Sequence, residues 1–230
     1  MNVNELTPKT LAKCFDHTFL KAYATQEDMK KLCEEAKELG CAMVAIDSFP
    51  VSTCKTYLKD CDVHVGAAIS FPLGQTTIAT KVYETKEAIR DGADEIDYVL
   101  NIGKVKEKDF AYIKEEMQAI VSICKEANVL SKVIFENCYL EKDEIVACAK
   151  IAKEVKPDFI KTSTGFGTSG ATFEDVALMV QSVDGACQVK AAGGIRDWET
   201  CKKMLELGAT RIGTSSSYTI LEGFCKERNA

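Results

Sequence analysis

The sequence predicts an α/β fold, a single (β/α)8 barrel preceded by a short extra helix at the amino terminus. Two observations carry this prediction. The first is a repeated unit in which an amphipathic helix ends at a glycine and a short apolar strand follows. The second is that about eight such strands, nearly all separated by helices, fit within 230 residues, a length that such barrels reach undivided. We therefore expect residues 1–230 to form one barrel domain.

The predicted elements alternate along the whole chain. A first helix begins at Thr7-Pro8, where a capping residue precedes proline. Apolar periodicity then predicts strand 14–18, helix 26–39, strand 42–46, strand 63–70, helix 77–90, strand 95–100, helix 109–126, strand 132–136, helix 141–155, strand 158–162, helix 172–183, strand 187–191, helix 198–207 and strand 211–213. An open doubly wound sheet is the alternative, but the first strand is not followed by Gly-x-Gly-x-x-Gly, and the glycine-rich turns cluster late.

Composition narrows the function classes. The formal net charge of -6 gives no general attraction for nucleic acid or an anionic membrane. Eleven scattered cysteines without a Cys-x-x-Cys pair indicate buried thiols in a reducing compartment. The first residues lack the pattern of a secretory leader, and no long apolar run occurs, so we expect a cytoplasmic protein.

The two histidines limit metal and nucleophile chemistry. With only His17 and His64 available, a zinc site made of three histidines is impossible. His17 alternates away from Asp16 along its strand, so we leave it out of the chemistry, and His64 begins a strand and is expected to be structural.

Charged residues interrupt the apolar strands near their carboxyl ends, where barrel enzymes have their active sites. They are Asp16, Asp97, Glu136, Lys161 and Lys190. Lys132 shares one face of its predicted strand with Glu136. Alone, a lysine at a strand end is more often a solvated flank than a nucleophile. Two lysines and several carboxylates converging on one barrel mouth are hard to justify by stability alone, and they indicate an active site.

The chemistry that suits this set is covalent amine catalysis. A lysine must be neutral to attack a carbonyl, and a second ammonium and partial burial both lower its pKa from about 10.4. The iminium that forms withdraws electrons and permits a neighbouring carbon–carbon bond to break. A carboxylate such as Asp97 is suited to carry protons during these steps.

Two glycine- or serine-rich loops follow the last two predicted strands. They are Ala192-Gly193-Gly194-Ile195 and Gly213-Thr214-Ser215-Ser216-Ser217, and each opens a helix. Barrels often hold a phosphate between these loops, through backbone N–H groups and a helix amino terminus. We therefore expect a phosphorylated substrate.

In these motifs the chain resembles the class I deoxyribose-phosphate aldolases. The matches are Asp16-His17-Thr18, Glu95 to Asn101, Lys132 to Glu136, Phe159 to Phe166, Lys190 to Arg196 and Arg211 to Ser216, in family order over nearly the whole chain. The resemblance implies a TIM barrel that reversibly cleaves 2-deoxy-D-ribose 5-phosphate to D-glyceraldehyde 3-phosphate and acetaldehyde. It implies small phosphorylated sugar and aldehyde substrates, no nucleic acid or membrane partner, and no metal or organic cofactor beyond the covalent imine. Many members are dimers, which suggests a homodimer, although no interface stands out.

The resemblance also implies residue roles. Lys161 would form the Schiff base, Lys190 would lower its pKa, and Asp97 would transfer protons. Asp16 would be a supporting group that contacts the substrate. The remaining predicted substrate-binding residues are Thr164, Gly193, Gly194, Ser215 and Ser216.

One departure from the family lies at the end of the second strand. Where the family has a small apolar or cysteine-containing run, this chain has Ala45-Ile46-Asp47-Ser48-Phe49-Pro50. Asp47 either faces the barrel mouth or caps the following helix, and we favour the cap.

Two other functions stay open from the residues alone. A phosphosugar isomerase would use the same phosphate loops with a carboxylate base and would not need both lysines. A catalytically silent phosphosugar-binding barrel would use the lysines only to pair with anions.

Overall fold

The computed structural model describes residues 2–228 and has the predicted architecture, a closed barrel of eight parallel strands in sequential order. The strands are β1 Phe15–Thr18, β2 Met43–Asp47, β3 His64–Ile69, β4 Glu95–Val99, β5 Leu130–Ile134, β6 Phe159–Lys161, β7 Gln188–Ala192 and β8 Arg211–Thr214. The α-helices are α1 Pro8–Ala12, α2 Gln26–Leu39, α3 Val51–Tyr57, α4 Ile78–Arg90, α5 Ile102–Lys106, α6 Phe110–Glu126, α7 Lys142–Val155, α8 Phe173–Val183, α9 Trp198–Glu206 and α10 Ser217–Arg228. Val3–Glu5 and Asn137–Tyr139 are short 3-10 helices. The prediction of a (β/α)8 barrel with an extra amino-terminal helix, α1, is confirmed.

Local sequence signals explain where the helices begin and end. At the start of α2, Thr25 and Asp28 form a capping box, and Gly40 ends the helix in the left-handed conformation with φ 73°. The buried face of α2 carries Met29, Leu32, Cys33 and Ala36. Burial of a large apolar side chain such as Leu32 stabilises the fold by roughly 1.5–3 kcal/mol.

Several boundaries differ from the sequence-based expectation. β5 ends at Ile134, two residues before the predicted end, because Glu136 adopts a left-handed conformation with φ 56° and its carboxylate turns to Thr164. Lys132 and Glu136 therefore do not share a strand face, and that prediction is wrong. The short helices α3 and α5 escaped prediction because five to seven residues are too few to show a helical period.

The strand register gathers charged residues in the barrel interior. Asp97 of β4 is the Cα partner of Lys132 on β5, while Lys161, Lys190 and Arg211 are consecutive partners across β6, β7 and β8. The helices cover the outside of the barrel with a continuous apolar core. The charges are thus enclosed by the sheet itself.

All eleven cysteines lie within the described residues and none forms a disulfide, but the expectation that they are buried fails for Cys61, which is exposed. Cys33, Cys124 and Cys148 are buried, whereas Cys187 is half-buried. Among residues 2–228, no helix is both long and apolar enough to cross a membrane.

Candidate active site

Lys161, Lys190 and Asp97 meet inside the barrel, as the sequence predicted. Lys161 ends β6 and Lys190 lies beside it on β7, and both ammonium groups donate to Oδ2 of Asp97, at 2.9 and 2.7 Å. All three are buried, with exposed fractions of 3%, 0% and 3%. A single carboxylate oxygen is therefore shared by two lysines.

Three further charged side chains, which sequence reasoning did not assign to the site, complete the cluster. Lys132 donates to the other oxygen of Asp97, Oδ1, at 2.6 Å and forms a close ion pair with Glu95. Arg211 donates to Oδ1 of Asp16 at 2.6 Å and lies 3.2 Å from Glu95. The signal was present in β4, where Glu95 and Asp97 occupy alternate positions and therefore face the same side of the strand.

Asp16 lies next to Lys190 and Arg211 inside the barrel. It is 0% exposed, forms a close ion pair with Lys190 and binds Arg211. Its neighbour His17 points the other way, as predicted from strand alternation, and contacts Glu35 and Ser217 at 2.9 and 2.8 Å. Direct contact between Asp16 and a substrate stays a prediction.

The charge balance of the cluster singles out Lys161 as the group that gives up a proton. Three lysines and Arg211 face three carboxylates, so with His64 neutral beside Glu95 the cluster has one excess positive charge. Burial is the largest effect on Lys161, and with the repulsion of Lys190 and Lys132 it lowers the pKa of Lys161 to about 8, against the attraction of Asp97. The neutral amine is therefore accessible near neutral pH.

The neighbouring groups keep their charges. Burial opposes ionisation of Asp97, but Lys132, Lys161 and Lys190 hold the pKa of Asp97 well below its usual range. Burial likewise disfavours charged Lys132, but Asp97 and Glu95 outweigh it and raise the pKa of Lys132. Asp97 stays a carboxylate and Lys132 an ammonium while Lys161 titrates.

A cavity of about 480 Å³ opens onto Lys161 and Lys190, and we call it the catalytic cavity. Among the predicted substrate-binding residues, those that line it are Thr164, Gly193, Gly194 and Ser215. Ser216 and Asp16 are not among its lining residues. The lining also includes charged or titratable side chains that were not predicted, namely Lys21 and Arg196, both exposed, and His17 and Glu35.

The backbone around the two late loops explains their glycines. Gly193 and Gly194 have φ values of +87° and +80°, which favour glycine over any residue with a side chain. At Gly213, a Cβ would lie 3.2 Å from Cε of Lys190, so the glycine leaves room for the lysine stem. Ser215 and Ser216 precede α10, whose first N–H groups have no partner within the helix. The loops therefore suit an anion.

Asp47 does not cap the following helix, and the favoured prediction is wrong. The residue at the start of α3 is Pro50, and no side chain caps that end. Asp47 instead ends β2, half-buried, and lines a neighbouring depression that shares Phe19 and Lys21 with the catalytic cavity. Burial and the nearby Glu84 raise the pKa of the Asp47 carboxyl. The capping prediction failed because α3 begins too far along the chain.

Comparisons with known proteins agree with this geometry. Residues 10–229 match the family described as DeoC/LacD family aldolase. A deoxyribose-phosphate aldolase of Lactobacillus acidophilus is 56% identical over 211 residues, which cover 92% of this chain and 89% of the relative. One from Bacteroides thetaiotaomicron is 49% identical over 227 residues, covering 97% and 95%. The solved structure of a tetrameric deoxyribose phosphate aldolase from Aeropyrum pernix superposes with a TM-score of 0.90 at 28% identity, covering 98% of this chain and 95% of that one.

Proposed function

The chain belongs to the DeoC/LacD family of aldolases, and on this premise we infer that it is a class I deoxyribose-phosphate aldolase. It reversibly cleaves 2-deoxy-D-ribose 5-phosphate to D-glyceraldehyde 3-phosphate and acetaldehyde. The observation that supports the residue assignment is Lys161 itself. Its buried amine shares one oxygen of Asp97 with Lys190 and faces the catalytic cavity, which the loops after β7 and β8 border.

In the proposed mechanism the neutral amine of Lys161 attacks the aldehyde carbon of the open-chain sugar. Loss of water from the carbinolamine gives an iminium between Lys161 and C1. The C3 hydroxyl then gives its proton, through a water molecule, to the carboxylate of Asp97 and becomes the new carbonyl group. The C2–C3 bond breaks, and the electron pair of that bond moves into the iminium to give an enamine. Glyceraldehyde 3-phosphate leaves. Protonation of the enamine carbon and hydrolysis of the resulting iminium release acetaldehyde and regenerate the amine.

Asp97 and Lys190 are the proposed partners in proton movement. In the resting site Asp97 is ionised and accepts hydrogen bonds from both lysines through one oxygen. It is thus placed to hold the proton of the C3 hydroxyl transiently and to return it through a water molecule when the enamine is protonated. Lys190 lies beside Lys161, and its repulsion of the Lys161 ammonium favours the neutral nucleophile. Asp16, which pairs with Lys190, is a supporting group in this scheme.

The phosphate of the substrate is proposed to lie at the loops after β7 and β8. Backbone N–H groups of Gly193 and Gly194, with the hydroxyls of Ser215 and Ser216 and the amino terminus of α10, supply uncharged donors for it. Thr164 borders the same cavity on the β6 side. Anchoring the phosphate there leaves the aldehyde end of the sugar near Lys161.

We further propose that the enzyme needs no metal or organic cofactor, since the lysine supplies the electron sink that a metal ion would otherwise provide. The net charge of -6 favours small-molecule partners over nucleic acid, and cysteines that form no disulfide among the described residues suit a cytoplasmic location. A homodimer stays a prediction.

The test is to trap the covalent intermediate. Incubation with deoxyribose 5-phosphate or acetaldehyde, followed by borohydride, should leave a secondary-amine adduct that mass spectrometry maps to Lys161. Lys161→Arg should abolish both the adduct and turnover. Lys21→Arg is the matched control, because Lys21 lines the same cavity from an exposed position and its variant should still be labelled at Lys161.

The outcomes separate the competing functions. An isomerase with a carboxylate base would turn over a phosphosugar without an adduct. A silent binding barrel would bind phosphate without turnover. Absence of any adduct on folded protein contradicts the aldolase mechanism.

A further inference from the structure

Phe166 forms a wall between two cavities. It borders the catalytic cavity on one side and, on the other, a second cavity of about 240 Å³, which we call the outer cleft. The outer cleft lies among the loops that follow β3 to β6, and its apolar lining includes Leu73, Ile102 and Tyr139. Leu73 and Tyr139 are 69% and 45% exposed, so the apolar surface of the outer cleft is accessible to a ligand.

Two contacts position Phe166, one through its ring and one through its backbone. It packs edge-on against Phe71, with ring centroids 5.5 Å apart and an interplanar angle of 88°. Its backbone N–H donates to Oγ1 of Thr164 at 3.0 Å, and Thr164 donates from both its N–H and its hydroxyl to the carboxylate of Glu136, which is 1% exposed. A buried carboxylate thus fixes the segment that carries the wall.

The aromatic pair also reaches the reacting amine. Nζ of Lys161 lies 6.0 Å from the centroid of Phe71. In the closed barrel the phosphate loops follow β7 and β8, whereas Phe71 follows β3 and the outer cleft extends over β4 and β5. A substrate whose phosphate is anchored at the loops therefore directs its Lys161-bound carbons toward the aromatic pair.

We propose that Phe166 is a specificity-determining residue that limits the size of the carbonyl donor bound by Lys161. The inference rests on the proposed function. In acetaldehyde only a methyl group extends beyond the carbonyl, and it fits beneath the aromatic pair. A longer aldehyde would have to pass Phe166 to place its apolar chain in the outer cleft. Removing the ring joins the two cavities and offers that chain an apolar surface.

The test compares two aldehydes as donors for the same lysine. Wild-type protein and Phe166→Ala are incubated separately with acetaldehyde and pentanal, then reduced with borohydride, and the adduct on Lys161 is quantified by peptide mass spectrometry. We expect the ratio of pentanal to acetaldehyde labelling to rise about tenfold or more in Phe166→Ala, because burial of several methylene groups is gained only by the longer donor. Phe166 is 49% exposed, so its replacement should leave the fold intact.

Two further variants show whether the effect passes through the outer cleft. Phe173→Ala removes a comparably exposed ring (44% exposed) at the start of α8 and should leave the ratio unchanged. Phe166→Ala combined with Leu73→Asp places a charge in the outer cleft and should abolish the gain. An unchanged ratio in Phe166→Ala, or a gain that persists in the double variant, overturns the role of Phe166. Wild-type protein that forms no acetaldehyde adduct on Lys161 overturns the proposed function itself, so the two failures are distinguishable.

Discussion

Two buried lysines, Lys81 and Lys161, occupy very different electrostatic surroundings. Lys81 on α4 is 0% exposed, donates to Glu116 on α6 at 2.6 Å, and also donates to the carbonyl of Val99 at 2.6 Å. Glu116 in turn accepts from the N–H of Asn101 at 3.1 Å. Lys81 thus has a carboxylate of its own, whereas Lys161 shares one oxygen of Asp97 with a second lysine.

Burial lowers the pKa of both lysines, so burial alone does not identify the nucleophile. What separates them is how the charge is balanced and whether a substrate can arrive. Lys81 forms a one-to-one pair and is not among the residues that line the catalytic cavity. Lys161 belongs to a cluster with one cation in excess and opens onto that cavity. We therefore expect the reactive lysine to be the one that has surplus positive charge beside it and opens onto a cavity.

The largest expected effect is on stability, from breaking the one-to-one pair. Lys81→Met leaves Glu116 as an uncompensated buried carboxylate, which should cost about 3–5 kcal/mol in the free energy of unfolding. Urea denaturation at pH 7 measures this. The value of kcat/KM per folded molecule should stay unchanged, because Lys81 does not touch the cavity. A loss below about 1 kcal/mol would contradict the view that Glu116 depends on Lys81.

The next effect concerns the shared carboxylate. Lys190→Met removes a cation beside Lys161, so the pKa of Lys161 should rise from about 8 toward its ordinary value. Because only the neutral amine attacks, the pH midpoint of adduct formation should move upward by about one unit, and labelling at pH 7 should fall about tenfold. Cyanoborohydride trapping across pH 6–10 measures the midpoint. Lys21→Met is the control and should retain the wild-type profile; an unshifted midpoint in Lys190→Met removes the role assigned to Lys190.

The difference between the two lysines also shows which features of the site could be predicted from the sequence and which could not. The strand-end position of Lys161 and the loops at Gly193 and Ser215 follow from chain order, because barrel strands end at one face. Lys190 lies in the middle of β7, and only the strand register places it beside Lys161. The pairing of Lys132 with Glu95, and of Arg211 with Asp16, depends on barrel closure and strand register, which no local pattern encodes. These contacts decide which lysine stays charged.

Other features depend on tertiary packing in the same way. The carboxylate of Glu136 leaves its predicted strand face because the buried loop at Thr164 supplies two donors. Phe166 becomes a wall only because Phe71, far away in sequence, packs against it. Short helices such as α3 have too few residues to show a helical pattern of apolar residues. The start of α3 was therefore not predicted, and Asp47 was wrongly expected to cap it.

Replacing Lys161 should change stability in the direction opposite to that of Lys81. The folded pKa of Lys161 lies below its unfolded value of about 10.4, so below pH 8 the folded state carries the full cost of a buried ammonium. This cost disappears as pH rises from about 8 to 10. Lys161→Met removes it and leaves three cations facing three carboxylates. We expect a gain of about 1–3 kcal/mol at pH 7 that shrinks as pH rises from about 8 to 10, measured by urea denaturation; a loss would show that Lys161 is structurally paired, as Lys81 is.

The smallest effect should come from replacing the one-to-one pair as a unit. Lys81→Met combined with Glu116→Leu removes both buried charges and keeps similar volume, a change that is often close to neutral. The N–H of Asn101 loses its acceptor, so a residual cost of about 1 kcal/mol is expected, well below that of Lys81→Met alone. The pH midpoint of Lys161 labelling should match wild type, because the pair is separate from the cluster around Asp97. If the double variant were as unstable as the single one, the cost would lie in packing around the Lys81 stem. The unpaired charge of Glu116 would then not explain the instability of Lys81→Met.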